Sequence, residues 1–233
     1  MKLLTVIIPV YNESKTITKI LDKVIKTKIS KQIIVVDDCS TDNSKKKISN
    51  FKSKIYKIII HKKNLGKGAA IQSAQKFIKG KYTIIQDADL EYNPNDYFKI
   101  LNKIYSENAH VVYGSRVLGK KRYKLKNFTS LSRIFFNHVL TLISNFINKQ
   151  ALTDAHTCYK LFDSKIFKKV KLKENGFAFC PEITTKISNL NIKIIEVPIS
   201  YKGRSYEDGK KISYKDGIEA LYALFRYKIL KNR

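Results

Sequence analysis

Tyr82-Thr83-Ile84-Ile85-Gln86-Asp87-Ala88-Asp89-Leu90-Glu91 is the stretch around which the chain is read. A short apolar run rich in β-branched residues ends abruptly in carboxylates. The run predicts a buried strand over Tyr82 to Gln86. Asp87 and Asp89 stand two apart, so an extended backbone points both side chains to one side. Two adjacent carboxylates repel and are stable with a cation or a shared proton between them. A hard divalent ion with oxygen ligands meets that need. The alternative is that one Asp caps the next turn or helix. The flanking sequence decides between the two.

On the N-terminal side, strand and helix signals alternate. Leu3 to Val10 is a strand containing Pro9, and Tyr11-Asn12-Glu13-Ser14 is a turn. Ile17, Ile20, Leu21, Val24 and Ile25 repeat at the spacing of a helix lying on a sheet. Gln32 to Val36 is a second strand, ending in Asp37-Asp38-Cys39-Ser40-Thr41-Asp42 and followed by a lysine-rich helix from about Ser44. Ile55 to His61 is a third strand. Asn64-Leu65-Gly66-Lys67-Gly68 is a glycine-rich loop opening a helix from about Ala69 to Ile78. Beyond the central stretch come a helix from Asp96 to Tyr105 and a strand from His110 to Gly114. Such alternation predicts an α/β fold, with a mainly parallel sheet covered by helices on both faces. Ligands then sit outside the carboxyl ends of the strands. Five clusters fall there: Tyr11 to Glu13, Asp37-Asp38, Asn64 to Gly68, Asp87 to Glu91, and Gly114-Ser115-Arg116. Their convergence favours the metal reading of Asp87 and Asp89.

The second half is less regular. Phe128 to Ile147 predicts one or two amphipathic helices, and a short strand falls within Thr153 to Asp163. Pro181 to Leu190 is helical, and Ile192 to Ile199 is a strand. Gly203 to Ser213 carries little apolar content and predicts a loop. Tyr214 to Leu230 is a closing amphipathic helix with basic residues at its end. The expected organisation is one domain over 1–213 with the helical segment 214–233 packed on it or extending it.

Composition bounds the partners. The 233 residues hold 46 Lys and Arg against 19 Asp and Glu, a formal charge of +27. This surplus favours anionic partners: nucleic acid, phosphorylated ligands or an anionic membrane face. The lysines are spread along the chain, which speaks against a nucleic-acid arm. Cys39, Cys158 and Cys180 are widely spaced, which fits a reducing compartment better than a disulfide framework or zinc site. The N-terminus runs straight into strand-like sequence, so no signal peptide is expected. No apolar run reaches the ~18 residues of a membrane span, so any membrane contact is expected to be peripheral.

Nucleotide fingerprints narrow the chemistry. No G-x-G-x-x-G follows the first strand, and Asn64 to Gly68 lacks P-loop spacing, which argues against a dehydrogenase and an ATPase. The loop still offers backbone N–H groups and Lys67 beside a helix N-terminus, suited to phosphate or ribose. Arg116 and Arg204 are candidate phosphate clamps, since guanidinium matches phosphate bidentately.

The clusters Val6-Ile7-Ile8-Pro9-Val10-Tyr11-Asn12-Glu13, Val35-Val36-Asp37-Asp38-Cys39-Ser40-Thr41-Asp42, Asn64 to Gly68, Asp87 to Glu91 and Gly114 to Arg116 resemble, in this order, family 2 glycosyltransferases of the GT-A fold. Asp154-Ala155-His156-Thr157-Cys158-Tyr159-Lys160 is similar to an element of the dolichol- or polyprenol-phosphate mannosyl- and glucosyltransferase branch. The resemblance covers about Leu3 to Ser213. It implies that Pro9, Tyr11, Glu13, Asp38, Lys67 and Asp87 bind a nucleotide-sugar. It implies that Asp87, Asp89 and Glu91 hold Mg²⁺ or Mn²⁺. Arg116, Arg133 and Arg204 would bind the acceptor phosphate, and Asp89, Arg116, Asp154, Glu182 and Arg204 would carry the chemistry. The implied partners are a nucleotide-sugar donor, a polyprenyl phosphate acceptor, an anionic membrane surface at the cytoplasmic face and a membrane-protein partner, with no nucleic acid. Two departures stand out: Glu91 replaces a common Gln and Cys158 a common Gly. The chain has no Trp, so the Gln-x-x-Arg-Trp element of processive synthases is absent and single-sugar transfer is expected.

The acceptor stays open at this level. A phosphate is already ionised at neutral pH, whereas a hydroxyl needs a positioned base, for which Asp154 and Glu182 are the candidates. A hydroxyl-bearing glycan acceptor, a nucleic-acid-binding module and a catalytically inert sugar-nucleotide sensor are the competing readings.

Overall fold

The structure, a computed structural model, describes residues 3–120, 131–204 and 214–230, apart from the side chains of 131–133 and 214. Seven strands form one sheet: β1 (Leu4–Val10), β2 (Lys31–Asp37), β3 (Lys57–Ile60), β4 (Tyr82–Ile85), β5 (Val111–Ser115), β6 (Lys160–Asp163) and β7 (Ile194–Pro198). Their order is β3-β2-β1-β4-β6-β5-β7. β1, β2 and β4 are almost wholly buried runs of Val, Ile and Leu, the pattern of strands covered on both faces. The helices between them are α1 (Ile17–Lys26), α2 (Ser44–Ser49), α3 (Lys67–Gln75) and α4 (Tyr97–Ser106). In α1 the buried residues are Ile17, Ile20, Leu21 and Val24, the stripe that the periodicity predicts. The third strand is shorter than expected and lies at the sheet edge, partly exposed.

β1 pairs in parallel with both β2 and β4, with Ile7 opposite Ile34 on one side and Ile85 on the other. The strand order reverses at β1, so a crevice opens beyond the carboxyl ends of β1 and β4. The expectation of a mainly parallel sheet is met with one exception. β6 runs antiparallel to both β4 and β5, with Ile84 and Val112 facing Leu161. A reversed strand begins where its neighbours end. The loop before β6, Asp154 to Tyr159, is thereby delivered to the edge that carries the crevice.

The later helices are α5 (Leu131–Asn148), α6 (Ser164–Lys169), α7 (Phe179–Asn189) and α8 (Tyr214–Ile229). α5 is one helix over its described length. α6 has no counterpart in the sequence reading: Asp163 caps it by accepting from the Lys165 N–H at 2.7 Å. α8 packs on α7 and α5, with Ala223 and Tyr227 against Ala178. No described helix is long and apolar enough to cross a membrane. Most of the expected Gly203 to Ser213 loop lies outside the described residues, as does the side chain of Arg133.

Candidate active site

The donor half is built first, by two stitched loops. After β1 the chain turns at Asn12 with φ of +52°, a conformation Asn tolerates. The Asn12 N–H donates to Ser40 Oγ at 3.0 Å, Glu13 N–H to Ser44 Oγ at 2.8 Å and Ser14 N–H to Asp42 Oδ2 at 2.9 Å. Burial opposes the ionised Asp42, but hydrogen bonds from Ser44 and Ser14 outweigh it and hold its pKa down at about 2. Pro9 and Tyr11 line this same edge, half-buried.

Asp38 organises the glycine loop. One carboxylate oxygen accepts from Leu65 N–H at 2.9 Å and meets His61 Nδ1 at 2.6 Å, and the other accepts from Gly66 N–H at 2.7 Å. The second His61 nitrogen meets Ser73 Oγ at 2.9 Å. His61 thus serves as the prop behind Asp38. On the loop's other side lies residue 175. Gly66 has φ of +98°, and a Cβ there would stand 2.5 Å from the Asn175 carbonyl oxygen; a Cβ on Gly68 would collide with the Glu174 carbonyl.

The central stretch leaves its strand two residues before Asp87. Gln86 is fully buried and accepts from Tyr97 Oη at 2.5 Å and Tyr159 Oη at 2.6 Å, while its amide donates to the Asp87 carbonyl at 2.9 Å. This fixes where the acids emerge. Asp87 then pairs with Lys67 at 2.5 Å. Asp89 accepts from Arg204 Nη2 at 3.0 Å. Arg204 also reaches both oxygens of Glu13, at 3.1 and 3.2 Å. Burial works against the charge on Lys67 and Arg204. The neighbouring carboxylates (Asp87 for Lys67; Asp89 and then Glu13 for Arg204) outweigh it, and both cations keep raised pKa values.

Glu91, expected as a third metal ligand, has a different task. One oxygen accepts from the Arg204 backbone N–H at 2.7 Å and the other from Tyr201 Oη at 2.9 Å, and its carbonyl accepts from Lys202 N–H at 2.9 Å. It tethers the segment that carries Arg204. Among the described residues no group of three or more His, Cys, Asp or Glu side chains is gathered to hold a metal. The charges nevertheless fit one. Among the described residues four carboxylates, Glu13, Asp87, Asp89 and Glu91, meet two cations, Lys67 and Arg204, a formal surplus of two negative charges. Asp89 registers it: burial first, then Asp87 and Glu91, push its pKa up to about 7 against the opposing pull of Arg204. Asp87 and Asp89 suit a hard divalent cation in chemistry and in charge.

The far side of the crevice is built on Arg116 at the end of β5. Asp154 holds its Nε at 2.7 Å, its Nη2 at 2.8 Å and its backbone N–H at 3.1 Å. Burial disfavours charge on either group, but each supports the other. Asp154 stays below the usual carboxylate range and Arg116 well above its own. Asp154 is set in turn by Glu196 on β7, which accepts from Thr153 N–H at 2.6 Å and Asp154 N–H at 2.9 Å. The Arg116 guanidinium lies 5.1 Å from the Tyr201 ring centroid. Sequence reasoning missed Gln86, Glu196 and Tyr201; each is an ordinary strand or near-strand residue in the primary text, and only the fold makes it a support.

The structure does not bring Glu182 to this cluster. It is fully buried on α7, accepting from Lys173 N–H at 2.7 Å and Glu174 N–H at 2.9 Å and pairing with Lys186 at 2.6 Å. Lys186 also donates to the Lys171 carbonyl. Glu182 therefore braces the segment that presses on Gly66 and Gly68. His156 is kept neutral, its pKa pushed down to about 4 by burial and then by Lys160.

The chain is similar in sequence and in fold to known proteins. The glycosyl transferase family 2 model matches residues 5–171. Dolichyl-phosphate beta-glucosyltransferase ALG5A of Trichomonas vaginalis is 27% identical over 246 residues, covering 97% of this chain and 73% of that protein. Protein MJ0544 of Methanocaldococcus jannaschii is 32% identical over 220 residues, covering 88% of this chain and 93% of its own. Glucosyl-3-phosphoglycerate synthase from Mycobacterium tuberculosis, solved with Mn²⁺, UDP and glucosyl-3-phosphoglycerate, superposes with a TM-score of 0.68 over 97% of this chain and 79% of that one, at 14% identity. That likeness shows a shared GT-A fold. With more than half of its length matched by the family model, the chain belongs to glycosyl transferase family 2, the nucleotide-sugar glycosyltransferases.

Proposed function

We propose that the protein transfers one hexose, with inversion, from a nucleotide-diphosphate sugar to a polyprenyl phosphate at a membrane face. The observation that carries this reading is the fate of the two candidate bases. Asp154 spends both oxygens on Arg116, and Glu182 spends both on Lys173, Glu174 and Lys186. His156, with a pKa near 4, is too weak a base to help. A hydroxyl acceptor would find neither candidate available, whereas a phosphate acceptor needs no base. The named relative acts on dolichyl phosphate with glucose, which favours glucosyl over mannosyl transfer.

Roles follow from placement. Pro9, Tyr11 and Glu13, with the loop set by Asp38, bind the nucleotide. Asp87 and Asp89 would hold Mg²⁺ or Mn²⁺, whose chemistry is that of a Lewis acid toward the diphosphate. Lys67 and Arg204, beside that acidic pair, would stabilise the negative charge that grows on the departing nucleoside diphosphate. Arg116, fixed by Asp154, orients the acceptor phosphate, with Arg133 as a further candidate.

The membrane reading rests on an inverted helix. From Ile134 to Asn148, α5 carries no Asp, Glu, Lys or Arg. It buries Thr141, Ser144 and Asn148 and exposes Phe135, Phe136, Leu142 and Phe146, the last at 89%. α8, its neighbour, exposes Ile218, Tyr222, Phe225 and Ile229. Apolar side chains on this scale, within a chain of charge +27, suit an anionic lipid surface or a membrane-protein partner at the cytoplasmic face. The deciding experiment offers UDP-glucose and GDP-mannose with dolichyl or undecaprenyl phosphate in detergent, and detects the sugar–phosphate–lipid by mass. Products formed only on hydroxyl-bearing glycans would sink the proposal.

A further inference from the structure

We infer that Lys67 and Arg204 are resident counter-ions of the acidic pair, exchanged for a divalent cation only when a diphosphate arrives to receive them. This rests on the nucleotide-sugar reading of the site and specifies how that site loads.

Each acid of the pair is already engaged. Lys67 Nζ stands 2.5 Å from Asp87, and Arg204 spans Asp89 and Glu13 at 3.0 to 3.2 Å, with Nε 3.9 Å from Glu91. The two cations come from distant parts of the chain, one at the start of α3 and the other past β7, and they meet the same ten-residue stretch. Among the described residues no third acidic ligand stands ready to draw a cation in, because Glu91 is bound to Tyr201 and the Arg204 backbone. A divalent ion arriving alone must displace one or both cations. Their side chains are only 18% and 19% exposed, so they would be left largely desolvated and without their carboxylates. That is the costly way to break a buried pair. A diphosphate changes the outcome, since its oxygens accept from an ammonium and, bidentately, from a guanidinium. The carboxylates are then released to the incoming ion, and the two ligands bind with positive coupling. Coupling is reciprocal: the metal raises nucleotide affinity by the same factor.

The arrangement also separates this protein's acids by role. Asp87 and Asp89 change partners during loading, whereas Glu91 keeps Arg204 within reach of both states by holding its backbone rather than its side chain.

The test is Mn²⁺ binding by the whole protein, measured as loss of the free-ion paramagnetic resonance signal, without nucleotide and with saturating UDP or GDP. Nucleotide binding itself is followed by thermal shift. Wild type is expected to bind Mn²⁺ at least about tenfold more tightly with the nucleotide that it accepts. Arg204→Gln and Lys67→Gln are expected to bind Mn²⁺ more tightly than wild type when nucleotide is absent, and to show a smaller gain when it is added. Equal Mn²⁺ affinity with and without a nucleotide that demonstrably binds would overturn the inference, as would variants with unchanged nucleotide-free affinity. If Arg204→Gln does not fold, Lys67→Gln makes the same comparison alone. If neither UDP nor GDP shifts the melting temperature with Mn²⁺ present, the nucleotide-sugar reading fails too, and the thermal shift separates that outcome from loss of coupling alone.

Discussion

Asp154 grips Arg116 at three points, two on the guanidinium and one on the backbone N–H, across 38 residues of sequence. The pair is a unit, because neither member is stable in that buried position without the other. Arg116→Ala and Asp154→Ala are each expected to lower kcat/KM by about a hundredfold or more, the scale for losing one preorganised phosphate contact. The double variant is expected to fall little further than the worse single one. Arg116→Lys is expected to recover little, since an ammonium cannot be held on a bidentate fork. Steady-state kinetics of the four variants check this; additive losses would mean that the two act separately.

Glu182, expected as an acid or base, is buried on α7 away from the Asp87–Asp89 cluster. Glu182→Gln leaves Lys186, itself buried, without its carboxylate. A loss of roughly 3 kcal/mol is expected, which lowers the melting temperature by about 10 °C at this size. Turnover per folded molecule is expected to stay close to wild type. A stable but inactive Glu182→Gln protein would return this residue to the catalytic set.

Lys160 makes stability depend on pH in an unusual direction. Its side chain is fully buried, donating to the Ala155 carbonyl at 2.7 Å with Nζ 3.6 Å from the centroid of the Tyr113 ring. Burial pulls its pKa down to about 8 from the usual value near 10.5. Between those values the unfolded chain binds more protons than the folded one, so stability rises with pH. Removing the group with Lys160→Met is expected to remove that rise. The wild-type protein should gain roughly 2–3 kcal/mol relative to Lys160→Met between pH 7 and pH 10. Parallel denaturant curves at the two pH values report it, and parallel behaviour of the two proteins would contradict the assignment.

The glycine loop gives a steric prediction. Ala at Gly68 must push back the backbone at Glu174, and Ala at Gly66 must also adopt φ of +98°. Strain of about 1–3 kcal/mol is expected at Gly66. Both substitutions should weaken donor binding more than they slow turnover, because they move Lys67 and the N–H groups held by Asp38. Isothermal titration with the nucleoside diphosphate, set beside kcat, distinguishes this from general loss of fold.

The primary text spoke clearly where local rules govern. β1, β2 and β4 are apolar runs ending in polar turns, and α1 carries its stripe at helical spacing, so the sheet and its ligand edge could be read directly. Asp87, Asp89 and Lys67 fell together for the same reason. Long-range pairing was not legible. Nothing in Lys160-Leu161-Phe162-Asp163 tells that β6 runs backwards, because strand direction is set by partners and not by side-chain pattern. The partners of Glu182 and Glu91 were hidden for a related reason. An acid beside a functional cluster has the same letters whether it faces a ligand or braces a backbone, and only its hydrogen-bond partners separate the two. A lone histidine such as His61, without a metal-ligand spacing, says nothing of which loop it supports until Asp38 and Ser73 are placed beside it.

Reversal of β6 also bears on how such a chain can diverge. The loop before it serves both halves of the site: Asp154 holds Arg116, while Tyr159 Oη donates to Gln86 and Cys158 N–H to Tyr92 Oη at 3.0 Å. A change of length or sequence in this loop is therefore felt at the emerging acids as well as at Arg116. Donor and acceptor sides are expected to diverge together rather than independently.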